Sequence, residues 1–313
     1  MKVCKICIFI LALFFIIIEC SIKPKEALKM TAQVAVHTTD PINCKVKKLD
    51  SSNAIYDKPL SNHIPITTKK NKYELLFDLP DTGVMQGLTF HNGYFYCSFD
   101  LKNGSGKIVK YNLTGNKISE TDPMAMGHSA EIAYRASTGK IYVANGGGIN
   151  PTHVYVVDYD SSTIQADLNY SSLGTSALLA IDNVHDYLIL HTVLNGGDNG
   201  TPMFTIINLA DMSTVTTFRI PNQGVPQGLD VDGMYIYLYT DNKVTVFNYE
   251  GKIITSYPIN KAGESEGLTM ATDHGTSYLS MGYNHPNRIY ILRSNENKKL
   301  HNSQILNKST RKI

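Results

Sequence analysis

The chain has 313 residues, with 29 Lys and Arg against 27 Asp and Glu, which gives a formal net charge of +2. This balance, with several of the positive residues in the two ends, predicts no nucleic-acid partner. Tyrosine is abundant, tryptophan is absent, and apolar residues fall in short clusters that are typical of many strands joined by tight turns. A closed all-β fold can use more than about 200 residues as one domain, so one domain fits the length as well as two.

The first 20 residues have the features of an export signal. Lys2 and Lys5 precede an apolar run at residues 6–18, which is too short for an ordinary membrane-spanning helix. Cys20 stands where a bacterial lipoprotein is lipidated, although Glu19 replaces the small residue that usually comes before it. A lipid anchor at Cys20, an uncleaved anchor and ordinary cleavage all stay open. We therefore expect a secreted or envelope-associated protein that contacts a membrane only through this segment.

Two further segments are polar and aperiodic. Residues 21–72 are rich in Lys, Thr, Ser, Asn and Pro and predict a flexible leader, and residues 294–313 predict a polar basic tail. Cys44 in the leader and Cys97 in a predicted strand can form a disulfide or remain two separate thiols. The chain has no pair of CxxC sequences and no HExxH sequence, which leaves no strong zinc signal.

Between these segments, one short motif recurs five times, every 39 to 50 residues. Such periods occur in propeller blades and in helical arrays. The five copies are Gly83-Val-Met-Gln-Gly-Leu88, Gly127-His-Ser-Ala-Glu-Ile132, Gly174-Thr-Ser-Ala-Leu-Leu179, Gly224-Val-Pro-Gln-Gly-Leu229 and Gly263-Glu-Ser-Glu-Gly-Leu268.

The residues after each motif favour strands over helices. A turn sequence leads into a second, Tyr-rich strand at residues 94–99, 140–144, 234–239 and 276–281, with a weaker turn at 182–185 in the third repeat. Third strands are predicted at residues 107–112, 153–158, 203–208, 243–248 and 288–292. The fold class predicted is therefore all-β, a five-bladed β-propeller with four-stranded antiparallel blades over residues 73–293.

The last repeat lacks a fourth strand, while a strand-like run at about residues 73–80 precedes the first motif. Pairing this N-terminal strand with the last blade would close the ring and remove an exposed sheet edge. This closure would explain both the missing fourth strand of the last repeat and the unassigned strand-like run at the N-terminal end.

In an antiparallel blade, the loop that leads into the first strand and the loop between the second and third strands share a face, which we call the axial face. Gln86, Gln227 and Glu266 occupy equivalent motif positions there, with Glu131 one position along. Polar loop residues add further candidates, although ordinary turns favour the same residue types. These further candidates for ligand binding are His128, Asp100, Asn145, Asn195, Asp241, Asn284 and His285.

The chemistry of this face stays open between a sugar, a cation and ordered water. His128 and Ser129 lack a nucleophile-elbow sequence or triad spacing, so we assign no catalytic residue. No cofactor is expected. The alternative is Ca²⁺ or another divalent cation at the axial face, and the sequence does not identify the metal.

At Gln86-Gly-Leu-Thr-Phe90, Gly127-His-Ser-Ala-Glu-Ile132 and Gln227-Gly-Leu-Asp230, the chain resembles a particular five-bladed propeller family. That family includes the teichoic acid biosynthesis protein C of Gram-positive bacteria and propeller domains of phage receptor-binding proteins, and helveticin J-like bacteriocins look similar. The resemblance covers residues 73–293 and implies engagement of a cell-wall polymer, teichoic acid or another surface glycan. It implies no catalytic residue.

The function predicted is therefore a non-enzymatic, envelope-associated propeller that binds a cell-wall polymer, with a link to teichoic acid biosynthesis as one option. A phosphodiester polymer would favour Lys or Arg at the site, and few lie near these loops, so a neutral sugar is equally compatible. One alternative is a metal-dependent hydrolase or lactonase that uses oxygens of Glu266, Glu131, Asp100 and Asn145, or a lyase with a buried carboxylate. Another is a bacteriocin-like or protein-binding module.

Overall fold

The computed structural model describes residues 72–293 except 81, 82, 195, 196, 198, 199, 242, 260–262, 274 and 275. In this part of the chain, strands form five separate four-stranded antiparallel sheets. This confirms the predicted five-bladed propeller. The predicted export signal with Cys20, residues 21–71 of the predicted leader with Cys44, and the predicted tail lie outside the described residues, whereas residue 72, the last of the predicted leader, lies in a strand. Within the described residues, no helix has the length and apolar character needed to cross a membrane.

Each blade takes consecutive strands, except that the fifth borrows the first strand of the propeller. Blade 1 contains β2 (Val84–His91), β3 (Tyr94–Lys102), β4 (Ser105–Asn112) and β5 (Lys117–Glu120). Blade 2 contains β6 (Glu131–Arg135), β7 (Lys140–Ala144), β8 (His153–Asp158) and β9 (Thr163–Asn169). Blade 3 contains β10 (Thr175–Asp182), β11 (Tyr187–Val193), β12 (Pro202–Asn208) and β13 (Thr214–Arg219). Blade 4 contains β14 (Pro226–Asp232), β15 (Tyr235–Thr240), β16 (Lys243–Asn248) and β17 (Ile253–Pro258). Blade 5 contains β18 (Glu264–Asp273), β19 (Thr276–Asn284), β20 (Arg288–Arg293) and β1 (Lys72–Asp78).

The N-terminal strand closes the ring as predicted. β1 pairs antiparallel with β20, from Lys72 opposite Arg293 to Asp78 opposite Arg288. The strand ends at Asp78, sooner than the sequence suggested, and Pro80 beyond it has no N–H to give to a ladder. Blade 5 thus gains its fourth strand from the other end of the propeller.

The hydrophobic core is divided among the contacts between neighbouring blades. Five clusters of buried side chains each combine residues of two adjacent blades, including blades 5 and 1. Between blades 3 and 4, for example, the ring centroids of Phe204 and Phe247 lie 4.8 Å apart. Inner strands such as β11 are therefore buried on both faces, whereas the outermost strand β13 alternates between half-buried and exposed residues.

The innermost strands approach one another closely at the fifth position of the motif. A Cβ placed on Gly228 would lie 2.7 Å from the backbone nitrogen of Leu268 in the next blade, and one on Gly267 would lie 2.7 Å from that of Leu88. Real Cβ atoms do not tolerate such contacts with backbone, so glycine is required at these positions by close packing around the axis. Blade 2 has Glu131 at this position instead.

Candidate functional site

A cavity of about 360 Å³ opens at the axial face, and all five blades contribute to its lining. Its polar side chains are Gln86, His128, Ser176, Gln227, Glu264 and Glu266. No lysine or arginine lines it in the part of the chain that the structure describes. Four of these side chains were predicted from the sequence, namely Gln86, His128, Gln227 and Glu266.

Glu131 lies against the innermost strands and does not line the cavity. Its side chain is fully buried, and its Oε1 accepts hydrogen bonds from the backbone nitrogens of Leu88 at 2.9 Å and Ile132 at 3.0 Å. Its Oε2 accepts one from the backbone nitrogen of Leu229 at 2.9 Å. Leu88 belongs to blade 1 and Leu229 to blade 4, so a single carboxylate of blade 2 joins three blades at the axis.

Burial raises the pKa of the Glu131 carboxyl well above its ordinary value, and its three backbone N–H donors offset this only in part. The hydrogen bonds occupy both carboxylate oxygens. We therefore assign Glu131 a structural role in joining the blades.

Glu264 and Glu266 form an acidic pair at the start of β18. The amide nitrogen of Asn284 donates to Glu264 Oε2 at 3.0 Å and to Glu266 Oε1 at 2.9 Å. Burial raises the pKa of Glu266 well above its ordinary value, and the carboxylates of Glu264 and Glu131 raise it further, against a hydrogen bond from Gln86. The raised pKa favours the neutral, protonated form of Glu266, so the blade 5 side of the cavity presents one buried and one exposed carboxyl group.

The two predicted glutamines hold their amides towards neighbouring acceptors. Gln86 Nε2 donates to the carbonyl oxygen of Met85 at 3.1 Å and makes a longer contact with Glu266 Oε1 at 3.4 Å. Gln227 Nε2 contacts Oδ1 of the exposed Asp241 at 3.3 Å. Asp241 does not line the cavity itself, although it contacts a side chain that does.

His128 pairs with Asp100 at the cavity wall. Its Nδ1 lies 3.0 Å from Asp100 Oδ2, while Asp100 Oδ1 accepts a hydrogen bond from the backbone nitrogen of Lys102 at 2.7 Å. A carboxylate at Nδ1 orients the ring and leaves Nε2 for a ligand. The side chain of the neighbouring Ser129 is fully buried, so it is not open to a ligand in the cavity.

The remaining predicted residues lie outside the cavity lining. Asn145 stabilises its own loop, because its Nδ2 donates to the carbonyl oxygen of Pro151 and its Oδ1 accepts from the backbone nitrogen of His153. Asn284 contacts the acidic pair from behind, and His285 is exposed. Asn195 lies outside the described residues.

The four oxygens proposed for a metal-dependent enzyme have separate partners. Glu131 accepts from backbone N–H groups, and Glu266 accepts from the amide of Asn284. Asn145 hydrogen-bonds within its own loop, and Asp100 pairs with His128. Among the described residues, no group of three or more His, Cys, Asp or Glu side chains is arranged to hold a metal ion.

Sequence reasoning missed Glu264 and Ser176 as lining residues. Glu264 precedes Glu266 by two positions, so strand alternation places both on one face of β18 and could have identified it. No comparable signal singles out Ser176, which has a positive φ of 54° in a loop-to-strand transition.

No family model matches the chain, and no curated protein does. Solved structures with similar folds include the hydrazine synthase of Kuenenia stuttgartiensis, at 17% identity over 66% of this chain and 64% of that chain, with a TM-score of 0.44. BamB from Moraxella catarrhalis is similar at 14% identity over 70% of this chain and 62% of that chain, with a TM-score of 0.35. The Dos1 propeller is similar at 10% identity over 66% of this chain and 58% of that chain, with a TM-score of 0.39.

This chain thus spans less than two thirds of the length of each of these three proteins. Similarity this distant carries no argument about function. The resemblance to the family of teichoic acid biosynthesis protein C stays a prediction.

Proposed function

We propose that this protein is an exported, envelope-associated propeller that binds a cell-surface glycan in the axial cavity. The observation that carries the proposal is the cavity of about 360 Å³, which is lined by amide, imidazole and carboxylate groups from several blades. Its volume falls in the range of small-molecule sites, roughly 300–1,000 Å³, and is large enough for a sugar unit.

The polar groups suit sugar hydroxyls. Gln86 and Gln227 offer amide donors and acceptors, and His128 offers one ring nitrogen beyond the one that faces Asp100. Several such groups converging on one concave site give orientation as well as affinity. The same groups come from different blades, so a rigid ring holds them in place.

The charge of the lining favours a sugar polymer over a polyol phosphate. A phosphodiester is usually recognised by Lys or Arg, whereas the described lining carries two glutamates and no basic side chain. The sequence places four basic residues near these loops, Lys102, Lys107, Lys243 and Arg288, and none of them lines the cavity. Two of them form ion pairs, Lys107 with Glu120 at 2.6 Å and Arg288 with Asp78 at 3.2 Å. Teichoic acid is therefore the less favoured of the two wall polymers.

The export part of the proposal rests on the signal-like residues 1–20, which lie outside the described residues. Such a segment would bring the propeller to the cell surface, where wall polymers occur.

The proposal is tested by sedimenting the purified full chain with Gram-positive cell walls, before and after chemical removal of teichoic acid. We expect the chain to sediment with both preparations. Gln227→Ala should weaken binding about fivefold, because a sugar hydroxyl loses one partner worth about 1 kcal/mol. Gln165→Ala, at an exposed position of the outer strand β9, is the matched control and should bind as wild type does.

Comparing walls with and without teichoic acid distinguishes this polymer from other wall glycans as the ligand. Binding that disappears with teichoic acid would assign that polymer as the ligand. A chain that binds neither wall preparation would refute the proposed function.

A further inference from the structure

The fourth position of the repeated motif divides the cavity lining into a polar and an apolar sector. Each blade supplies one residue at this position, and all five line the cavity, namely Gln86, Ala130, Ala177, Gln227 and Glu266. The three polar residues come from the neighbouring blades 4, 5 and 1, and the two alanines come from blades 2 and 3. His128 and Ser176 precede these alanines along the chain, so they lie nearer the opening at the axial face.

The apolar sector suits a methyl group. Leu178 extends it beside Ala177, and among the described residues the lining has no aromatic side chain. Ala130 packs so closely on Gly146 that a Cβ on this glycine would overlap the alanine methyl group. A hydroxyl group placed against these side chains would lose water without gaining a partner, whereas a methyl group would gain from burial.

Glu266 lies in the middle of the polar sector with one oxygen left for a ligand. The residue is 4% exposed, and its Oε1 accepts from Nδ2 of Asn284 at 2.9 Å and meets Nε2 of Gln86 at 3.4 Å. No side chain or backbone group of the described residues makes a hydrogen bond to Oε2. A nearly buried carboxyl group with an unpaired oxygen at a cavity wall calls for a partner inside the cavity.

The surroundings of Glu266 favour a neutral carboxyl group. Burial raises its pKa well above the ordinary value, and the carboxylates of Glu264 and Glu131 raise it further. The equivalent residues of blades 1 and 4, Gln86 and Gln227, are neutral amides of nearly the same shape. Because both N–H donors meet Oε1, the proton of the neutral group belongs on Oε2, where it is available to an acceptor of the ligand.

The two flanking glutamines supply acceptors. The amide nitrogen of Gln86 donates to the carbonyl oxygen of Met85, and that of Gln227 contacts Asp241. Neither amide oxygen receives a hydrogen bond from the part of the chain that the structure describes. The polar sector therefore offers one O–H donor, on Glu266, between two carbonyl acceptors.

Resting on the proposed function, we propose that the axial cavity selects a sugar unit that carries an acetamido group. Such a group has one carbonyl acceptor, one N–H donor and one methyl group. Glu266 donates to the carbonyl oxygen, and the amide oxygen of a flanking glutamine accepts the N–H. Ala130 and Ala177 contact the methyl group on the other side of the cavity. A hydroxyl group in place of the acetamido group would leave the apolar sector without a contact.

The test is titration calorimetry of the full chain in a polyoxyethylene detergent, which carries no sugar. The probes are oligomers of N-acetylglucosamine and of glucose with the same β-1,4 linkage and equal length, which differ only in the acetamido group. We expect the acetylated oligomers to bind about tenfold tighter or more, because a buried methyl group and a further hydrogen bond each contribute several-fold.

Two variants of Glu266 distinguish a donor from a charge. Glu266→Gln keeps an N–H donor and should keep the preference for the acetylated oligomer. Glu266→Leu has no donor and should reduce the preference about fivefold, with circular dichroism as the check of folding. Ala130→Ser, at a half-buried position of the apolar sector, should reduce the preference without any change at Glu266. Glu250→Gln, at an exposed residue in the turn after β16, is the control and should bind as wild type does.

The outcomes separate this inference from the proposed function. Equal binding of the two oligomers would overturn the acetamido selection and leave glycan binding intact. Failure of both oligomers to bind would overturn the inference alone if the chain still sediments with cell walls, and both proposals if it does not. Loss of the preference in Glu266→Gln would assign a charged carboxylate and overturn the role of Glu266 as a donor. A preference that survives both Glu266→Leu and Ala130→Ser would overturn the placement of the acetamido group.

Discussion

Glu131→Gly tests whether the buried carboxylate at the axis joins the blades. Glycine is the residue at this motif position in blades 1, 4 and 5, so the repeat by itself suggests that the change is harmless. The structure predicts the opposite, because the carboxylate accepts hydrogen bonds from Leu88 of blade 1 and Leu229 of blade 4. Both backbone donors are buried near the axis and lose their partner in the variant.

The expected loss is counted from these two donors, and the backbone nitrogen of Ile132, the third donor to this carboxylate, adds to it. A buried N–H group without a partner costs about 1–3 kcal/mol, so the free energy of unfolding should fall by about 2–6 kcal/mol. Relief from burying a carboxylate reduces this loss, and the greater chain entropy of glycine in the unfolded state, worth about 0.5–1 kcal/mol, adds to it. Glu131→Gln keeps one acceptor oxygen and most of the volume, and should cost less.

Urea unfolding followed by tyrosine fluorescence and circular dichroism measures the loss, since the chain has 19 tyrosines and no tryptophan. The free energies of unfolding of the variants can be compared if the slope of free energy against urea concentration is the same for each of them. Glu250→Gly, in an exposed turn, controls for the general effect of glycine. A loss for Glu131→Gly within about 0.5 kcal/mol of this control would refute the role given to Glu131.

Three further outcomes are expected. Gly228→Ala should lower the free energy of unfolding by about 1–3 kcal/mol in the same urea assay, because its Cβ would lie 2.7 Å from the backbone nitrogen of Leu268. A chain that starts at residue 80 lacks β1 and exposes the edge of β20, so light scattering should detect oligomers or aggregates. Burial raises the pKa of Asp230 from 3.8 to about 7, so stability should fall as pH rises from about 4 to about 7, and Asp230→Asn should flatten that dependence.

Each of these has its own check. Gln165→Ala, at an exposed position of β9, is the control for Gly228→Ala; equal losses would show that close packing at the axis is not the cause. A chain that starts at residue 72 retains β1, and the edge argument fails if it aggregates equally. The sign for Asp230 reflects a folded state that binds the proton more tightly than the unfolded state, and Glu131 and Glu266 act in the same direction. Parallel pH curves for wild type and Asp230→Asn would contradict the assignment.

The sequence was sufficient to predict the blades, because their signals are local. A turn sequence between two alternating apolar runs acts over a few residues, and several third strands, such as His153–Asp158 and Lys243–Asn248, have the predicted bounds. Ring closure was also predictable, since one blade lacked a strand and one strand lacked a blade. Strand ends were less certain where an irregular residue such as Pro80 comes next.

The site was predictable only in part. Motif equivalence placed Gln86, Gln227 and Glu266 at the cavity, because repeats related by rotation about an axis bring equivalent residues to the same end. Asn145 is of a residue type that often binds ligands, yet its side chain hydrogen-bonds within its own loop. Asn side chains stabilise turns as readily as they bind ligands. Sequence pattern cannot separate these two uses.

What the sequence by itself determined is the fold: strand alternation, turn residues and a five-fold repeat are properties of neighbouring residues. What only the tertiary structure decided is the role of each polar group near the axis. Glu131 meets the backbone of Leu229 across 98 residues of chain, and Asn284 meets two glutamates from another strand. The position of a residue in its strand decides the face on which its side chain lies. The partner of that side chain depends on which blades meet at the axis, and the blades meet only when the ring closes.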